Sequence, residues 1–136
     1  MDRKKDPSAS SLRVDQLEND VRKFMKLMKL EEPISLGSHP SLEVRIGRLR
    51  YIQEELSELA ETMHEELSID KVADALGDLL YVVVGTFLVY SIPIAPVWQE
   101  IQRSNMTKDP RIINGKKKGG KGVDYKLPKL KEVLGL

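Results

Sequence analysis

The sequence predicts an all-α protein: a four-helix, bundle-like fold with a basic C-terminal loop and a short final helix, assembled as an oligomer. Three observations carry this reading. Apolar residues recur at helical spacing through residues 12–28 and 44–63. Prolines at 33, 40 and 93 punctuate the periodic segments. The run 79–89 is aliphatic nearly all round, and a helix apolar on every side must be covered on every side. Four short helices of one protomer can hardly do that, so a homodimer or homotetramer is expected.

Size and composition bound the rest. A chain of 136 residues makes one domain with a real core, small enough to gain from oligomerisation. The net charge of +1 argues against nonspecific nucleic-acid binding by the whole surface. Acids concentrate in 54–78 and lysines in 116–131. The absence of cysteine excludes disulfides and thiolate metal sites. The first six residues are charged and hold no apolar run, so no signal peptide is expected and a cytoplasmic location, of a cell or of an infected host, is the default. Residues 79–99 carry no charge, yet Pro93 and Pro96 cut that stretch to a length nearer a core helix than a membrane span.

Residues 1–10 read as a disordered tail, 11–106 as a helical domain, and 107–136 as a basic loop and short helix of the same domain. Ser10 or Ser11 caps a first helix running to about Leu30, with Leu12, Leu17, Val21, Phe24, Met25 and Met28 on its apolar side. Ser41 caps a second helix through Leu67, turning Val44, Ile46, Leu49, Ile52, Leu56, Leu59 and Met63 inward. Ser68 or Asp70 starts the third, which ends near Ser91. The fourth runs from Ile94 to Asn105 with Val97, Trp98 and Ile101 inward, Trp98 reading as core. Residues 107–128 form a loop, and Pro128 opens a last helix from Lys129 to Leu134.

The chemistry gathers in two acidic clusters. Glu54, Glu55 and Glu58 fall within one helical arc, and Asp74 and Asp78 stack on a single face. Glutamate-rich helices are usually solvated surface. Asp74 and Asp78, however, stand in an otherwise apolar segment, where unpaired carboxylates are costly. If the two helices pack antiparallel, up to five carboxylates converge and repel one another unless cations intervene. Hard oxygen ligands of this kind suit Mg²⁺ or Mn²⁺.

Other motifs fail on context. Residues 115–121 match a phosphate-binding loop up to Lys121, but Gly122 follows in place of Ser or Thr, with no strand-to-helix setting. His39 and His64 are isolated and take no ligand role.

Glu54-Glu55-x-x-Glu58, then Asp78-Leu-Leu-Tyr81 leading to Gly85-Thr86, then Ser104-Asn105-Met106-Thr107-Lys108, resembles the all-α NTP pyrophosphohydrolases, the MazG-like superfamily, and leans toward its phage and dUTPase-like branch. That superfamily also has a phosphoribosyl-ATP pyrophosphohydrolase branch. The resemblance implies cleavage of a nucleoside triphosphate between its α and β phosphates, giving the monophosphate and pyrophosphate. It assigns metal binding to Glu55, Glu58 and Asp78. The family usually has an acid three residues before that aspartate. Here Ala75 stands there, and Asp74 is the expected substitute. Glu54 is expected to orient or deprotonate the attacking water. Tyr81, Asn105, Lys108, Lys121 and Tyr125 are carried over as nucleotide-binding positions. A purine deoxynucleotide such as dGTP is the favoured substrate by general resemblance. The rival reading is a helical oligomeric module whose basic arm, from Lys116 to Lys131, contacts nucleic acid.

Overall fold

The computed structural model describes residues 11–30, 33–64, 66 and 68–136, with the side chains of 112, 113, 117 and 118 left aside. The tail expected over residues 1–10 lies outside the described residues. The chain is mostly helical and divides into two compact units, Met1–Ser91 and Ile92–Leu136.

The first unit holds α1 (Val14–Leu27), α2 (Leu42–Glu61) and α3 (Ile69–Val89). Helix α1 starts later than the serines suggest: its N-cap is Arg13, whose backbone N–H donates to Gln16 Oε1 at 2.7 Å. It ends in a left-handed Lys29, with the Leu30 N–H returning to the Met25 carbonyl. Ser41 caps α2 as expected, its hydroxyl accepting from the Val44 N–H. The same helix stops at Glu61 and not at Leu67. Thr62 turns its hydroxyl back onto the Leu59 carbonyl, and Glu61 already sets a negative charge at the negative end of the dipole.

Helix α3 packs against both α1 and α2. Arg48 of α2 meets Val82 and Thr86, while Glu55 further along meets Asp78, so α2 and α3 run antiparallel. Phe24 of α1 stacks edge-on against Tyr81, centroids 5.4 Å apart. Val21, Met25, Ala75, Val84, Leu88 and Val89 form the core. Behind α1, the backbone of Ile34 is strapped to the end of α3 by the Val89 carbonyl and the Ser91 hydroxyl.

Several residues expected inward are exposed in this chain. Ile46, Leu49, Leu56 and Met63 of the α2 region are exposed, as are Leu12, Phe24 and Met28. Helix α3 buries only the side turned to its neighbours and leaves Ile69, Leu76 and Leu80 in the open. It is long and apolar enough to cross a membrane by length and composition alone. It packs on two helices and carries Asp74 and Asp78 in its first half.

The second unit holds α4 (Ile94–Asn105), strands β1 (Asp109–Ile113) and β2 (Lys116–Gly120), and α5 (Leu130–Val133). Residues expected to form an irregular loop thus contain an antiparallel hairpin, with Ile113 paired to Lys116. Its two-residue turn is Asn114-Gly115, both at positive φ, which is the conformation that twists with the strands. Helix α4 has the bounds the sequence suggests, but Trp98 is 67% exposed and not core.

Candidate active site

Helix α2 presents Arg48, Tyr51, Glu55 and Glu58 in steps of three and four, a single stripe turned toward α3. Helix α3 answers with Ala75, Asp78, Val82 and Gly85 at the same steps. One ligand oxygen each from Glu55, Glu58 and Asp78 lies within 4.8 Å of the others. Glu58 and Asp78 are exposed, while Glu55 is half-buried. Burial pushes the Glu55 carboxyl up from its ordinary value, and the charges of Glu58 and Asp78 push it further, with a hydrogen bond to Glu58 and the charge of Glu54 adding to them. Its Oε2 is shut off from solvent and has no hydrogen-bond partner among the described residues.

That orphaned oxygen tests whether a metal fits. A buried acceptor without a donor is costly, and three carboxylates so close repel one another. A divalent cation satisfies both, and an all-oxygen donor set suits a hard one.

A cavity of about 390 Å³ opens beside these acids, within the range of small-molecule sites. Phe24, Met28, Tyr51 and Tyr81 give it aromatic and thioether walls, and Arg48, Glu55 and Asp78 are its charged groups. Tyr81 also lines this cavity. Glu54 stands beside these acids, in a shallow groove shared with Arg50, Gln53 and Glu58. Asp74 is exposed and is not among the acids whose oxygens converge, while Ala75 beside it is buried.

The remaining expected positions belong to the second unit. Asn105 ends α4, and its carbonyl accepts from the Lys108 N–H. The Lys121 ammonium sits over the Tyr125 ring at 5.4 Å, and the Ser104 hydroxyl reaches the Tyr125 hydroxyl at 3.4 Å. Residues 115–120 belong to the turn and second strand of the hairpin, so the stretch has no phosphate-loop geometry.

Sequence reasoning missed Arg48 and Tyr51. The signal was available in the spacing, since both stand on the stripe of Glu55 and Glu58.

A helical scaffold that brings glutamates of one helix to an aspartate of the next, beside a nucleoside-sized cleft, defines the class of all-α NTP pyrophosphohydrolases. Within that class the chain belongs to the phosphoribosyl-ATP pyrophosphohydrolase family, whose profile matches residues 21–105. The match spans both acidic helices and stops at the end of α4, so the hairpin and α5 lie outside it. The family is one of hydrolases in nucleotide metabolism. No curated protein matches the chain.

Proposed function

We propose that this chain is a metal-dependent nucleoside triphosphate pyrophosphohydrolase, converting a (d)NTP to (d)NMP and pyrophosphate. The observation that carries the proposal is the convergence of Glu55, Glu58 and Asp78 in and beside the wall of the aromatic cleft. In this reading those three residues hold Mg²⁺ or Mn²⁺. When bound, the cation screens the carboxylates from the triphosphate, polarises its α-phosphoryl group and acidifies water. Glu54, outside the converging group, takes the proton from the attacking water at its carboxylate. Asn105, Lys108, Lys121 and Tyr125 are carried over from the sequence resemblance as nucleotide-binding groups. Asp74 is proposed as a further ligand in place of the acid missing at Ala75.

The first substrate to try is a purine deoxynucleotide such as dGTP, on the strength of the resemblance. The family match favours a second, phosphoribosyl-ATP, which presents the same α–β anhydride. The proposal is tested by following pyrophosphate release from the eight common NTPs and dNTPs and from phosphoribosyl-ATP, with Mg²⁺, Mn²⁺ or EDTA. The expected result is monophosphate and pyrophosphate in equal amounts from at least one nucleotide, abolished by EDTA. Release of orthophosphate alone, or no turnover of any nucleotide alongside salt-sensitive polynucleotide binding, would overturn it in favour of the basic-arm reading.

A further inference from the structure

Arg48 carries a charge where α2 is least exposed: 4% of its surface is open. Its Nε donates to Thr86 Oγ1 at 3.3 Å and its Nη2 to the Val82 carbonyl at 3.0 Å. Thr86 Oγ1 donates to that same carbonyl at 2.9 Å, closing a small network on α3. Gly85 provides the space, because a Cβ there would collide with Nη2 and stand 3.3 Å from Cζ. On its other side the guanidinium lies over the Tyr51 ring, 5.1 Å from its centroid.

Burying a guanidinium is expensive, and an apolar residue of similar volume would seal a helix seam without that cost. A charge kept here therefore calls for a role beyond packing. Arg48 stands seven residues from Glu55 on the same stripe, about 10 Å along the helix axis. Arg48, Tyr51, Glu55 and Asp78 all line the same cleft.

We propose that Arg48 is a positioning residue for substrate selection: clamped to α3 through Thr86, Val82 and the notch at Gly85, it fixes Tyr51 as the rigid wall against which the nucleotide's base stacks. The inference rests on the pyrophosphohydrolase reading above. Fixing the ring in advance removes an ordering cost from binding, so the clamp acts on affinity and base choice.

Steady-state kinetics over the eight nucleotides, with Mn²⁺ saturating, test it. Arg48→Lys keeps the charge and the stem but loses the fork. It is expected to raise KM for the best substrate about tenfold while kcat stays within about threefold, and to flatten the ratio of kcat/KM between purine and pyrimidine nucleotides. Tyr51→Leu is expected to do the same, and the double variant to be no worse than the poorer single one, because both remove one device. Gly85→Ala is expected to reproduce the effect without altering either residue. A purely structural role would lower the melting temperature and scale kcat/KM equally for every nucleotide. That pattern, or wild-type base ratios in both Arg48→Lys and Tyr51→Leu, overturns the inference. If Gly85→Ala does not fold, the other two variants decide. Failure of the functional reading is distinguishable, since the wild-type protein would then turn over neither the eight nucleotides nor phosphoribosyl-ATP.

Discussion

Glu55 occupies a place where burial and two neighbouring acids push its carboxyl toward the protonated form, and one of its oxygens has no described partner. Because the folded state binds this proton more tightly than the unfolded one, stability is lost as pH rises above the ordinary carboxylate value. Glu55→Gln removes that cost. Without metal, the variant is expected to melt above wild type at about pH 7, with the gap closing toward about pH 4. Mn²⁺ is expected to raise the melting temperature of wild type and not of the variant, which also loses pyrophosphate release. An unchanged melting temperature in metal-free buffer would remove the basis for reading Glu55 as strained. Asp74 makes a sharper comparison. If it serves as a ligand, Asp74→Asn weakens Mn²⁺ dependence nearly as much as Asp78→Asn. An Asp74→Asn variant that stays within a few-fold of wild type, while Asp78→Asn falls by more than about a hundredfold, would remove Asp74 from the ligand set.

Among the elements, α3 shows most plainly what a sequence reveals. Its bounds, its two aspartates and its excess of apolar surface were all legible, because helical period and Ser68 are local signals. Which side would be buried was not legible, since every side of it is apolar. The hairpin was legible and overlooked. Asn114-Gly115 is a strong turn signal, but it lies against a run of lysines that carries no strand pattern. Arg48 was hidden for a different reason: a charged residue inside a helix is ordinarily solvated, and only packing shows that this one is enclosed. The stripe left open on α3, with Leu76 and Leu80 about half exposed, calls for a covering surface. We expect sedimentation at micromolar concentration to give a mass above the 15.4 kDa protomer, and Leu80→Asp to return it to that value. A fully active wild-type monomer would leave the stripe unexplained.

At the scale of the whole molecule, the chain builds two units, and the second keeps itself together by a polar clasp. Glu100, 9% exposed, accepts from the Arg103 guanidinium at 2.6 Å and from the Lys129 N–H at 2.8 Å. Arg103 also donates to the Leu127 carbonyl, and the Ser104 hydroxyl to that of Lys126. The chain from 126 to 129 is thereby fastened along α4, a link that composition alone does not disclose. The Arg103 hydrogen bonds, and then the Lys129 N–H, hold the Glu100 carboxyl well below its ordinary 4.5, at about 2. A lowered folded pKa contributes stability above the unfolded value and loses it as pH falls through the folded one. Glu100→Gln is therefore expected to melt below wild type at neutral pH, with the difference shrinking between about 4.5 and about 2. A difference that stays constant through that window would show that packing, and not charge, fastens the segment.

The notch at Gly85 also has an evolutionary consequence. A Cβ there would displace Nη2 of the guanidinium, so the two positions are expected to change together through descent. Lineages that keep arginine at 48 are expected to keep glycine at 85. A lineage that first shortens residue 48 becomes free to accept alanine or serine opposite. Comparing relatives of this chain should find these two columns changing together, although thirty-seven positions separate them in the chain. Independent variation at the two positions would mean that the clamp is peculiar to this protein.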